Sequence, residues 1–182
     1  WIRGNKPVQP EGQWPIPDDA HTVAEVMKSA GYTTGAMGKW GLGPVGSTGD
    51  PNRQGFDLFY GYNCQREAHS YYPTHLWLNS ERHILDNPPF KAHQKLKEAP
   101  EDYAQFYGNE YAPDLMLRTA RAFIRRNQEQ PFFLYLPFVE PHVAMQPPQA
   151  WVDRYPKQWD SKPYLGQKSY LPHPRPRAGY AA

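Results

Sequence analysis

Apolar positions in this chain fall into a few short, separate patterns, and each predicts an element. Val23, Val26, Met27 and Ala30 lie at i, i+3, i+4 and i+7, one face of a helix. Thr22 and Glu25 form a capping-box pair at its start. Gly31 stands where a left-handed residue ends such a helix. Tyr32–Met37 reads as a short strand that runs into the turn Gly38-Lys39-Trp40-Gly41-Leu42-Gly43. Residues 43–63 are rich in glycine and read as loop. His75–Leu78 and Arg82–Leu85 pair as a hairpin around Asn79-Ser80-Glu81. A second helix is predicted over Pro113–Asn127, with Pro113 at its first position. Asp114 and the pair Arg125, Arg126 suit its two dipole ends. Leu117, Ala120 and Ile124 line one side of it, widened by Leu115, Met116 and Phe123. Phe132–Phe138 is a continuous apolar run, the pattern of a strand covered on both faces, with Pro137 stopping the ladder near its end. Residues 1–17 read as extended loop, 86–111 are polar without a clear period, and 144–182 form a long Pro-rich excursion.

Helix, strand, then later helix, strand is the rhythm of an α/β layered fold. In such sheets ligands sit beyond the carboxyl ends of the strands. Lys39 follows the first strand and His142 the second, so these two residues mark the first place to look for a site. Composition fits a loop-rich globular chain: 21 prolines and 14 glycines among 182 residues favour turns, and 15% aromatics argue against disorder. A net charge of +2 without a basic stripe gives no footing for nucleic acid. No apolar stretch approaches the roughly 20 residues of a membrane span. The single cysteine, Cys64, rules out an internal disulfide and a cysteine zinc cage. The chain opens at Trp1 and stops at Tyr180-Ala181-Ala182, the beginning of a helix, so both ends read as cut.

Each candidate has two readings. Lys39 in its glycine-rich turn offers a point charge to an anion that the backbone can approach closely, or is a surface lysine in a flexible turn. The spacing is not that of a phosphate-binding P-loop. His142, in Glu140-Pro141-His142-Val143, can hydrogen-bond an anion or protonate a leaving group, or be held structurally by carbonyls. The segment Cys64-Gln65-Arg66-Glu67-Ala68-His69-Ser70-Tyr71-Tyr72 gathers polar groups beside aromatics. It can line a substrate pocket, with Gln65 and His69 as its polar contacts, or form a self-satisfied loop. Cys64 reads as a small buried residue rather than a nucleophile. Cys64 and His69 without further ligands do not make a metal site. Tyr71, Tyr72 and Trp151 read as packing.

Ala24–Gly43 resembles the stretch of sulfatases that runs from a helix into a Gly-Lys-Trp-His-Leu-Gly turn. Gln54-Gly55-Phe56-Asp57-Leu58-Phe59-Tyr60-Gly61 is similar to the aromatic segment that follows, and Pro131–His142 to a later strand ending in Pro-His. The likeness is to bacterial arylsulfatase-like enzymes of the formylglycine type. It implies an alkaline-phosphatase-like α/β sandwich with a mostly parallel central sheet flanked by helices. It also implies hydrolysis of a sulfate monoester, aryl sulfate or sulfated carbohydrate, with a calcium ion and a formylglycine made from a cysteine. On that resemblance Lys39 contacts the sulfate and the formylglycine hydrate, and His142 holds the sulfate or protonates the departing oxygen. A periplasmic or secreted location is implied as well.

The departures are specific. Cys64 is followed by Gln-Arg-Glu-Ala, not by the x-Pro-Ser-Arg of the family's nucleophile. The aspartate and asparagine metal ligands are absent, so residues 1–182 read as an internal segment of a catalytic domain, inactive alone. Gly41 replaces the usual histidine of the turn, and His69, or an imidazole outside this segment, is the candidate to substitute for it. Two alternatives stand beside the sulfatase reading. One is a phosphate or phosphonate monoester hydrolase of the same fold, and the other is an inactive relative that binds sulfated glycan.

Overall fold

The computed structural model describes residues 11–89, 91, 93–142, 146–166 and 170–182. The opening part of the 1–17 loop reading, and residues 144, 145 and 167–169 of the Pro-rich excursion, lie outside the described residues. Contacts divide the chain into two units. The first holds residues 1–68, 75–85 and 112–139, and the second holds 69–74, 86–111 and 140–182.

The first unit is built on five strands: β1 (Thr33–Lys39), β2 (Leu58–Tyr62), β3 (His75–Leu78), β4 (Glu81–Ile84) and β5 (Phe132–Tyr135). Their order is β4-β3-β2-β1-β5. β1 pairs in parallel with β2 (Gly35 opposite Leu58) and with β5 (Thr33 opposite Phe132), while β3 and β4 extend the sheet antiparallel. Two helices, α1 (Val23–Ser29) and α2 (Ala112–Asn127), pack on β1. Strand alternation puts them on opposite faces. Ala36 shares a cluster with Ala24 of α1, Trp40, Phe56 and Phe59, whereas a methyl group at Gly35 would stand 2.8 Å from the Phe123 ring of α2.

Local chemistry explains the starts and stops. Thr22 and Glu25 form the reciprocal capping box, and Gly31 takes the left-handed conformation (φ +87°) just past the end of α1. The Asp57 carboxylate accepts from the Thr34 backbone N–H at 2.8 Å and pairs with Lys28 at 2.7 Å, tying α1 to the start of β1. Glu11 is buried and accepts hydrogen bonds from Trp77 Nε1 (2.9 Å), His75 Nε2 (2.8 Å) and Arg82 (3.1 Å), which pins the entry loop to β3 and β4. Burial alone would raise its pKa, but these donors and the charges of His75 and Arg82 hold it below the usual carboxylate range.

Several elements differ from the sequence reading. Residues 43–63, read as loop, contain β2, because Leu58-Phe59-Tyr60-Gly61-Tyr62 finds a ready-made parallel partner in β1. The hairpin turns at Asn79-Ser80, one residue tighter than expected. The expected buried face of α1 is turned out: Val23 and Val26 are 61% and 59% exposed, and Ala24 is buried. The aromatic floor of Trp40, Phe56 and Phe59 leaves room for a methyl group there. In α2 the buried stripe is Ala112, Met116, Ala120, Phe123 and Asn127, and Leu117 and Ile124 face outward. Apolar residues surround most of that helix, so period alone did not choose the face. The slot left by Gly35 draws Phe123 inward. β5 ends at Tyr135 and its residues are half-buried or exposed, so it is not covered on both faces as read.

The second unit is mostly irregular, with α3 (Gln149–Val152) and α4 (Pro176–Ala181) inside the Pro-rich stretch. The sequence placed the start of that last helix later, near Tyr180. Phe106 and Leu171 form its apolar centre. Buried Asn87 donates to the carbonyls of Pro73 (2.7 Å) and Glu110 (2.9 Å), and the Arg175 guanidinium donates to the carbonyls of Val152 (3.1 Å) and Tyr155 (2.7 Å). His173 is fully buried. Its Nδ1 accepts the Arg175 N–H at 3.0 Å, so the proton sits on Nε2, which faces the Tyr107 hydroxyl at 3.2 Å.

Two predictions follow from this packing. Gly35→Ala pushes a methyl group into the Phe123 ring and is expected to cost about 1–3 kcal/mol, read as a lower denaturant midpoint at unchanged slope. Burial lowers the pKa of His173 from 6.5 to about 4. The unfolded chain therefore binds a proton that the folded one refuses, and stability falls as pH drops from about 6.5 towards 4. A loss of about 3 kcal/mol is expected across that window, seen as a falling melting temperature. An unchanged pH slope in His173→Gln would count against this assignment.

Candidate functional site

Lys39 closes β1, and the chain stays paired on both sides past it. The Lys39 N–H donates to the Pro137 carbonyl (2.9 Å), and the Trp40 N–H donates to the Tyr62 carbonyl (2.9 Å). The Trp40 indole N–H donates to the Gly49 carbonyl at 2.8 Å, which locks the ring and the turn that follows. Here a cleft of about 370 Å³ opens, with Lys39, Trp40, Gly41, Leu42, Gln65 and Tyr135 among its lining residues. Lys39 is half-buried, and burial pulls its ammonium below the usual lysine range while nearby Cys64 pulls the other way. Buried Cys64 is itself pushed up by desolvation, which keeps it a thiol at neutral pH.

Gln65 lines the same cleft. A methyl group built on Gly41 would collide with the Gln65 side-chain amide nitrogen. The amide therefore occupies the space that a side chain at position 41 would take. A cation and an amide N–H donor at the mouth of a largely apolar cleft form an arrangement that can hold an anionic oxygen.

His69 and His142 belong to the second unit, and the structure brings them together. Their rings stack with centroids 4.6 Å apart and planes 14° apart. His93 Nε2 lies 3.1 Å from His69 Nδ1, and Tyr170 stands edge-on to both stacked rings, at 5.7 Å from His69 and 5.4 Å from His142. The Tyr71 hydroxyl donates to the His142 carbonyl at 2.9 Å, and burial pushes its pKa above the usual phenol range. His93 and Tyr170 were not visible as site residues in the sequence. They lie in aperiodic polar stretches, and their approach to His69 is long-range, so no local signal marks them. Tyr71 and Tyr72 are buried, as packing residues should be, while Trp151 is 47% exposed beneath the guanidinium of Arg154.

Comparison with known proteins decides the family. The sulfatase family model matches residues 3–175, nearly the whole chain. The chain belongs to the sulfatase family. It is 32% identical over 135 residues to an arylsulfatase of Hemicentrotus pulcherrimus, covering 71% of this chain and 23% of that protein. It is 28% identical over 147 residues to an arylsulfatase of Klebsiella aerogenes, covering 80% of this chain and 29% of that protein. The crystal structure of Ps i-CgsB in complex with k-i-k-neocarrahexaose superposes with a TM-score of 0.63 at 22% identity, over 99% of this chain and 36% of that one. The sulfatase chain spans about a quarter of the length of the curated relatives it matches. Its α/β architecture is the alkaline-phosphatase-like fold of that family.

Calcium and formylglycine, which the resemblance implies, do not fit the residues present. Among the described residues no group of three or more His, Cys, Asp and Glu could hold a metal ion. The stacked imidazoles lie face to face instead of converging on one point. Cys64 is buried, and its sequence context lacks the modification motif.

The Tyr71 contact yields a test of how His142 is held. Tyr71→Phe removes the donor to the His142 carbonyl and is expected to cost about 1 kcal/mol. Faster amide hydrogen exchange at Glu140 and His142 in that variant would register the loosened segment.

Proposed function

We propose that residues 1–182 are an internal segment of the catalytic domain of a sulfatase, and that the whole protein hydrolyses sulfate monoesters. The observation that carries this reading is Lys39, half-buried at the carboxyl end of β1 and sharing a cleft with Gln65, in a chain of the sulfatase family. In this reading the Lys39 ammonium opposes the charge on the sulfate oxygens, and the Gln65 amide donates a hydrogen bond to one of them. Lys39 is anchored by the backbone hydrogen bonds at 39 and 40, and preorganisation of this kind is what makes a donor effective as charge develops. His142 either holds the sulfate or protonates the departing alcohol oxygen, a step worth about 10²–10⁴-fold in rate. His69, stacked on His142, is a further substrate contact in this reading.

The substrate class is an aryl sulfate or a sulfated carbohydrate. The carbohydrate side is supported by the complex of Ps i-CgsB with k-i-k-neocarrahexaose. The calcium ion and the formylglycine nucleophile are assigned to parts of the polypeptide other than this chain. A periplasmic or secreted location belongs to the same proposal.

Matched aryl sulfate and aryl phosphate, offered to the whole protein, separate the readings. Turnover of the sulfate in preference to the phosphate is expected. Preference for the phosphate selects the phosphate or phosphonate hydrolase instead. Retention of a sulfated glycan with no product selects the inactive binding relative. Lys39→Met is expected to lower kcat/KM for the aryl sulfate by about 10²–10³-fold, measured by release of the phenol.

A further inference from the structure

Three short elements of the second unit meet at its surface: α3, the single helical turn Lys157–Trp159, and α4, which packs against both. We propose that this face binds a sulfated carbohydrate chain, with the indoles of Trp151 and Trp159 against sugar rings and Arg154, Lys157 and Arg177 on sulfate groups. The sulfated class of the ligand rests on the functional reading above. The aromatic and cationic character of the face rests on the residues themselves.

Trp151 is 47% exposed and Trp159 41%, and both belong to the stretch 151–159. Exposed apolar groups rimmed by polar ones mark an interaction surface. Packing partners limit how far either indole can turn, so little freedom is left to lose on binding. The Tyr155 ring packs on that of Trp159 with centroids 5.3 Å apart, and the Trp159 carbonyl accepts an N–H of Arg177 at 3.2 Å. The guanidinium carbon of Arg154 lies 3.9 Å from the Trp151 ring centroid, and Trp151 remains exposed with it in place. The face of an indole is electron-rich. The C–H groups of a pyranose ring present the positive ends of their bond dipoles and are its complement.

Arg154, Lys157 and Arg177 are exposed, and among the described residues none of them is in an ion pair. The nearby carboxylates are engaged elsewhere. Asp153 and Asp160 each lie 3.7 Å from the Arg175 guanidinium, and Asp160 also accepts the backbone N–H groups of Arg177 (2.7 Å) and Ala178 (3.3 Å). A guanidinium over a ring keeps its charge and its in-plane N–H groups, which suit two oxygens of one sulfate. Cations alone would hold any polyanion, and indoles alone any sugar. The two together select a chain that carries both rings and charge.

The test is equilibrium binding of the whole protein to dextran sulfate, with neutral dextran and inorganic polyphosphate beside it at one ionic strength. Dextran supplies rings without charge, and polyphosphate supplies charge without rings. Dextran sulfate is expected to bind about tenfold or more tightly than either. Trp159→Ala and Lys157→Glu are each expected to weaken it about five- to tenfold. Circular dichroism reports whether each variant is folded. Lys157 is exposed and has no side-chain partner among the described residues, so its variant keeps the test decisive if Trp159→Ala does not fold. Polyphosphate or dextran bound as tightly as dextran sulfate, or unchanged dextran sulfate binding in either folded variant, overturns the proposal. Turnover of a small aryl sulfate is expected to stay within about twofold in both variants, because neither residue lines the Lys39 cleft. A matching loss of that turnover would place the effect in the cleft and overturn the proposal as well. If the unmutated protein turns over no sulfate ester, the functional reading above fails, and the binding series still decides the role of this face.

Discussion

Everything in the first unit depends on β1 being a strand with a parallel neighbour on each side and a helix on each face. That position demands small side chains, and β1 supplies them in Gly35, Ala36 and Gly38. Gly35 admits the Phe123 ring, and Ala36 meets Ala24 across the aromatic floor. Because both neighbours run parallel, all three carboxyl ends emerge on one side. The backbone of Lys39 and Trp40 is hydrogen-bonded to both neighbouring segments after the regular ladder ends. A lysine held by that backbone has little freedom to leave the cleft, so its charge is positioned by the sheet.

The second unit is held by a different principle. It has little regular structure, and its order comes from polar side chains that replace a ladder: Asn87 bridging two carbonyls, Arg175 bridging two more, and His173 fixed between a backbone N–H and a phenol. Buried groups of this kind are stabilising only while every partner is present. It is in this setting, not on a strand end, that His69, His93 and His142 gather.

How much of this was legible in sequence follows from the range of the interactions. The capping box at Thr22, the Gly31 cap, the start of β1 and the extent of α2 are set by residues a few positions apart, and each could be read. The motif that placed Lys39 at the end of β1 is also local, whereas His142 lies beyond the end of β5 and in the other unit. The buried faces of α1 and α2 could not be read, because the deciding partners (Phe56 and Phe59 for one, the gap at Gly35 for the other) lie elsewhere in the chain. β2 was hidden by the glycines around it, since a strand that exists by pairing with β1 leaves only a weak imprint on its own composition. Gln65 and His69 were named from a loop rich in polar groups, yet their partners, Gly41 and His93, came from contact alone.

The contact between Gly41 and the Gln65 amide ties two positions together across 24 residues of chain. A long side chain at 65 is compatible with glycine at 41, and a bulky residue at 41 is compatible with a 65 that turns away. The pair therefore shares one space, and a side chain at 41 makes the flexible end of Gln65 swing aside. Among related chains, the identity of residue 41 should carry information about residue 65, and the path between the two states passes through whichever intermediate leaves the cleft empty rather than overfilled.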